Sequence, residues 1–268
     1  MKIEIDGFQA YCYTGARAPD VSRPAIVLCH GAGMDHTVWT LVARHFIRHG
    51  RTVIAPDLPA HGRSGGAALG SVPAMADWVI RLLDAIGISK AAFFGHSLGS
   101  LIALDAVSRH PDRARALAMV GTAVPMPVSD ALLAAAKAND HAAFEMLTQF
   151  GYSKRHAFGG NSNPGVWMTG ATLRLFERSK PGSLFADLSA CNAYTEGLER
   201  AAAVQCPSLL VLGAEDRLTP VKATTALRAA LAGSEARILA GSGHTLMVEA
   251  PNTLLDALGE LEHGRGRG

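Results

Sequence analysis

Apolar positions along this chain follow two rhythms. Short apolar runs alternate with longer stretches in which apolar residues recur every three or four positions. Residues 2–5 and 8–13 alternate on either side of Asp6-Gly7, a pair suited to a hairpin turn. The runs 25–30, 52–55, 91–94 and 115–120 predict strands. Helices are predicted over 37–49, 72–86 and 100–109, closed by Gly50, Gly87 and Pro111. From Pro125 to about Glu199 no parallel strand is predicted. There Ser129-Asp130 caps a helix through Ala138, and Asn139-Asp140 caps another through Phe150. Further helices fall near 165–178 and 183–193, and the Gly, Asn and Ser-rich stretch 151–165 reads as a loop. Alternation resumes at Pro207 with strand 208–212, helix 220–231, strand 236–239 and helix 246–262. The pattern is that of an α/β protein, with helices on both faces of a mainly parallel sheet and a helical insertion between two parts of it. The expected division is a core of residues 1–122 and 200–268 and an insertion of residues 123–199.

Composition narrows the classes. At 268 residues the chain suits one well-buried core with an insertion. Aromatics make up only 6%, so aliphatic residues must fill that core. A formal charge of +2 supplies no strong field for nucleic acid or anionic lipid, so neither is an expected partner. Gly264 to Gly268, which contains Arg265 and Arg267, reads as a solvated tail. Cys12, Cys29, Cys191 and Cys206 are scattered, against a zinc site or a disulfide framework, and Cys29 reads as a small buried hydrophobe. Residues 1–6 lack the apolar core of a signal peptide, and no run is long and apolar enough to span a bilayer. The expectation is a soluble cytoplasmic protein with reduced thiols. Its oligomeric state is not legible.

The chemistry centres on Gly95-His96-Ser97-Leu98-Gly99, a G-x-S-x-G motif with a strand before it and a helix after it. Glycines at 95 and 99 let neighbouring backbone approach a sharp turn that presents Ser97. A serine hydroxyl needs a base. Of eleven histidines, His244 lies in Gly241-Ser242-Gly243-His244, between a strand and a helix and on the same sheet edge as Ser97. His30, His61 and His96 fall in loop motifs suited to turn packing or backbone hydrogen bonds. His36, His45, His49, His110, His141, His156 and His263 show no partner pattern, and most read as solvated. The base needs a carboxylate to orient it. Asp216, after the strand 208–212, is the choice, with adjacent Glu215 as its rival. Backbone donors for an oxyanion are expected at Leu98, after the nucleophile, and at Ala32 in His30-Gly31-Ala32-Gly33. Gly31-x-Gly33 is also a fragment of a dinucleotide turn, but its third glycine position holds His36. No H-E-x-x-H, Walker or EF-hand pattern is present, so no metal and no cofactor is expected.

Taken in order, His30-Gly31, Asp57-Leu58-Pro59-Ala60-His61-Gly62-Arg63-Ser64, the serine turn, the acid loop and the histidine loop resemble the α/β-hydrolase superfamily over nearly the whole chain. The resemblance implies an eight-stranded, mainly parallel sheet with helices on both faces and a helical cap inserted after the sixth strand. It also implies the order Ser97, Asp216, His244 for a catalytic triad. Met126, Phe144, Trp167, Met168 and Phe176 are the expected cap residues of a substrate pocket. Ala60 departs from the glycine usual at that place, which stiffens the turn. Serine at 97 argues against relatives with an aspartate nucleophile. The expected substrates are small or medium carboxylic esters. Carbon–carbon bond hydrolysis, lactonase, thioesterase and cofactor-free haloperoxidase activities use a similar triad, and a non-catalytic small-molecule receptor is the rival of another class.

Overall fold

The computed structural model describes residues 1–160 and 167–264. Asp6 and Gly7 both take positive φ, 53° and 79°, as a tight hairpin requires. Lys2–Ile5 (β1) therefore folds back on Phe8–Tyr13 (β2) in antiparallel register. The remaining strands are Ala25–Cys29 (β3), Thr52–Pro56 (β4), Ala91–His96 (β5), Ala114–Val120 (β6), Ser208–Gly213 (β7) and Glu235–Leu239 (β8). They form one eight-stranded sheet in the order β1-β2-β4-β3-β5-β6-β7-β8, parallel from β4 to β8.

Strand side chains alternate between two apolar layers, as a period of two demands. Val27, Cys29 and Phe93 pack with Val72–Ile86 (α2) and Leu98–Arg109 (α3), in the layer opposite Thr40–Arg48 (α1). Ile26, Leu28 and Phe94 point the other way, onto Phe46 of α1 and Leu254 and Leu258 near the C-terminus. Both faces are covered, so β3, β4 and β5 are buried at every position. Burial pushes the Cys29 thiol up to about 12, which leaves it protonated.

Between β6 and β7 lie Asp130–Lys137 (α4), His141–Gly151 (α5), Lys154–Ala157 (α6), Met168–Glu177 (α7), Ser183–Ala193 (α8) and Gly197–Ala202 (α9). Thr225–Ala230 (α10), Leu246–Glu249 (α11) and Pro251–His263 (α12) complete the core. The local signals hold closely. The Ser71 hydroxyl caps α2 and Gly87 ends it at φ 84°, while Ser129 and Asp140 cap α4 and α5.

The differences have local causes. The helix predicted over 37–49 begins as a 3₁₀ turn, His36–Trp39, capped by Asp35. The segment 220–231 likewise opens with a 3₁₀ turn, Val221–Thr224. The segment 246–262 breaks at Ala250, because Pro251 has no N–H to continue the first helix and opens the second. Short helix α6 lies inside the predicted loop, and α9 was not anticipated. The part of that loop beyond Gly160, the first residues of the helix predicted from 165, and the tail Arg265 to Gly268 lie outside the described residues. No helix among the described residues is long and apolar enough to cross a membrane.

Candidate active site

Strand β5 delivers Ser97 into a turn that most side chains avoid, φ 52° and ψ −121°. Such backbone costs about 1–3 kcal/mol and persists only where surroundings enforce it. Here the Ser97 amide is tied to the Val120 carbonyl at 3.0 Å, and the Ser100 amide returns to the Ser97 carbonyl at 2.8 Å. The turn is as tight as glycine permits. A Cβ on Gly95 would sit 2.0 Å from the Gly99 carbonyl oxygen, and one on Gly99 would sit 2.2 Å from that of Cys29. Leu98 is the first residue of α3, where an amide has no acceptor one turn back.

Two further strand ends supply the partners. Asp216 follows β7, and its Oδ2 lies 2.8 Å from Nδ1 of His244, which follows β8. Facing a carboxylate, Nδ1 carries the proton, and Nε2 is left with its lone pair. Asp216 is buried, whereas Glu215 is exposed, which separates the two rivals for the His244 partner. The Leu218 and Thr219 amides donate to Asp216 Oδ1 at 2.9 and 2.8 Å, and the Thr219 hydroxyl donates to Oδ2 at 2.7 Å. Burial pushes the Asp216 carboxyl up, but the His244 partner and these donors outweigh it and hold it well below the usual carboxylate range.

The histidine next to the serine has a different task. His96 Nε2 donates to the His244 carbonyl at 3.0 Å, and burial drives its pKa down to about 3, so it stays neutral. It steadies the His244 backbone without competing for a proton. His30 is similarly occupied, with Nδ1 on the Gly31 carbonyl and Nε2 accepting the Leu58 amide. The buried Glu249 carboxylate holds the same loop from below, accepting the Gly243, Thr245 and Ser153 amides.

A cavity of about 320 Å³ lies against Ser97 and His244. Ala32 lines it from the loop after β3, and the segment between β6 and β7 supplies most of the apolar wall. Of the residues expected there, Met126 and Phe176 line it. Phe144 instead stacks behind Phe176 with ring centroids 6.0 Å apart. Trp167 is 66% exposed and lies across Gly170, while Met168 is buried away from the cavity, its carbonyl accepting the Tyr152 hydroxyl. Leu132, Leu147 and Leu188 take those places on the wall, with Arg217 beside them, stacked on Phe150. Helical periodicity marks which residues turn inward but not whether inward means the cavity or the packing behind it.

Sequence reasoning also missed several partners. Thr219 carried a signal: an aspartate whose side chain accepts amides two and three residues on is a recognisable turn. His36 and His156 carried none. Both belong to the group without a partner pattern, most of which read as solvated, yet both are buried, His36 on Asp57 at 2.7 Å and His156 on Glu249 at 2.9 Å. His61, expected in turn packing or a backbone hydrogen bond, meets the Pro59 carbonyl at 3.0 Å and in addition pairs with Asp187 of α8 at 2.9 Å.

Comparison with known proteins bears on the family and the fold. Residues 24–147 match the family model described as alpha/beta hydrolase fold. The chain is 30% identical over 254 residues to the pimeloyl-[acyl-carrier protein] methyl ester esterase of Aromatoleum aromaticum, covering 86% of this chain and 95% of that one. It is 29% identical to the putative carbamate hydrolase RutD of Klebsiella pneumoniae, over 89% of this chain and 91% of that one. The crystal structure of the enol-lactonase from Burkholderia xenovorans superposes with a TM-score of 0.84 at 19% identity, covering 98% of this chain and all of that one, a likeness of fold.

Proposed function

Since this chain belongs to the α/β-hydrolase family and is a hydrolase, we propose that it cleaves small or medium carboxylic esters with Ser97 as nucleophile, His244 as general base and Asp216 as its orienting acid. The observation that carries the reading is the buried 2.8 Å pair between His244 Nδ1 and Asp216, in a loop that lines one cavity with the strained Ser97 turn. His244 Nε2 takes the Ser97 proton as Oγ attacks the ester carbonyl. The Asp216 carboxylate stabilises the imidazolium that results. The Ala32 and Leu98 amides receive the oxyanion, His244 then protonates the departing alcohol, and water attacks the acyl-enzyme by the same route in reverse. No step needs a metal or an organic cofactor.

Residues 123–199 act in this reading as a helical cap that shapes the acyl pocket. The apolar wall formed by Met126, Leu132, Leu147 and Phe176 suits an uncharged acyl chain. The A. aromaticum relative is named for a methyl ester, which favours ester chemistry over the other reactions run on this fold.

A fluorophosphonate probe followed by peptide mapping tests the nucleophile. Labelling is expected on Ser97, and Ser97→Ala should lower hydrolysis of p-nitrophenyl esters by about 10⁴-fold or more. Turnover unchanged in that variant sinks the Ser97 assignment, and folded wild-type protein that neither labels nor turns over any ester favours a ligand receptor. A panel of esters, lactones, thioesters and carbon–carbon substrates then identifies the bond cleaved.

A further inference from the structure

A carboxylate from the helical insertion reaches into the loop that carries the Ala32 amide. Asp187, on α8, is wholly buried, and its Oδ2 accepts the Gly33 amide at 2.9 Å. The same oxygen lies 2.9 Å from His61 Nε2, while His61 Nδ1 lies 3.0 Å from the Pro59 carbonyl. His61 is itself 2% exposed. One carboxylate oxygen thus joins three segments: α8, the loop after β3 and the loop after β4.

The chemistry of the donors is restrictive. A carbonyl only accepts, so His61 Nδ1 must donate to Pro59. Nε2 then meets Asp187 across one proton, which must be present for the contact to attract. A charged carboxylate oxygen both holds that proton on a buried imidazole and takes the Gly33 amide. An asparagine oxygen could accept both bonds but brings no charge to keep the proton on the imidazole. Among the described residues Asp187 Oδ1 has no hydrogen-bond partner, so the carboxylate is held through Oδ2 alone.

We infer that Asp187 and His61 form a one-proton strut that sets how far the Ala32 amide reaches into the cavity, so that Asp187 is a positioning residue for oxyanion stabilisation. This rests on the serine-hydrolase reading above. Gly33 follows Ala32 directly and turns at φ 66°, so fixing its amide fixes the peptide plane that adjoins the one carrying the Ala32 N–H, hinged to it at the Ala32 Cα.

The strut is sensitive to pH. Burial lowers the affinity of His61 for its proton, but the charge and hydrogen bond of Asp187, the Pro59 carbonyl and the charge of Asp57 outweigh it and raise the imidazole above its ordinary value. His30 lies 5.1 Å away, ring to ring, and is kept neutral by burial. Asp35, His36, Arg63 and Arg178 line the adjoining hollow, with Arg178 paired to Asp35 and His36 to Asp57. A raised value in the folded state means that the strut is whole below the ordinary imidazole range. It is lost as pH rises through the folded value.

The test compares wild type, His61→Gln and Asp187→Asn by fluorophosphonate labelling of Ser97 and by p-nitrophenyl ester hydrolysis from neutral to alkaline pH. Wild type should lose rate along an alkaline limb. In His61→Gln an untitratable amide donates to Asp187, so the rate at neutral pH should stay within about threefold and the limb should vanish. Asp187→Asn should lower kcat by about tenfold to a hundredfold with KM little changed. A wild-type kcat in Asp187→Asn, or a limb that persists in His61→Gln, overturns the inference. If Asp187→Asn fails to fold, the His61→Gln profile decides alone. Wild-type protein that does not label at Ser97 overturns the serine-hydrolase reading instead.

Discussion

Strands β3 and β5 are buried at every position, whereas helix α4 buries only Leu132 and Ala136, and α5 only Ala143, Thr148 and Gly151. The sheet holds its strands by parallel ladders, so the ends that carry Ser97, Asp216 and His244 are placed by backbone hydrogen bonds. Apart from the Gly151 carbonyl, which accepts the His244 and Thr245 amides, the insertion rests on scattered side-chain contacts such as Asp187 on Gly33 and His61, Arg178 on Asp35, Lys180 on the Ser64 carbonyl, and Tyr194 on Asp105. Backbone ladders tolerate almost no displacement, while side-chain anchors allow a wall to be reshaped one residue at a time. In the proposed reading the chemistry therefore sits on the rigid part and the pocket wall on the adaptable one.

The contrast predicts unequal costs of substitution. The largest belongs to the sheet edge. Gly99→Ala places a Cβ against the Cys29 backbone, with nothing flexible to yield, and should cost more than about 4 kcal/mol. Denaturant unfolding measures it, and a loss below about 1 kcal/mol, no more than an ordinary surface change costs, would contradict the rigid-edge account. The next effect belongs to the insertion. Phe176→Ala should enlarge the pocket and alter selectivity between short and long acyl chains by about 10–200-fold, with Ser97 labelling retained. Loss of labelling with unchanged selectivity would place Phe176 in the support of the catalytic edge instead. The smallest effect tests local strain in the core. Ala60 sits at φ 66°, so Ala60→Gly should stabilise by about 0.5–1 kcal/mol, seen as a higher Tm.

The fold was legible wherever its signal was local. Ser71 and Gly87 bound α2 at the predicted residues, and Asp6-Gly7 set the first hairpin. Pro251 was also local evidence, but the apolar period running past it masked the break at Ala250. Helix α9 is a few residues opening on Gly197, too short for a period to show. Phe144 and Trp167 obey helical spacing yet lie off the cavity, because spacing orients a helix only once its neighbours are in place.

The sequence by itself determined the order of strands and helices, the sharp serine turn and the loops that carry an acid and a histidine. Each depends on residues close along the chain, where turn chemistry and periodicity act directly. Only the tertiary structure decided that His244 pairs with Asp216 and not Glu215, that Leu132, Leu147 and Leu188 line the cavity, and that Asp187 meets His61 across 126 residues. Those pairings arise where strand ends and helices are brought together in space. A buried carboxylate and its distant donor carry no shared signal until burial forces each to find the other.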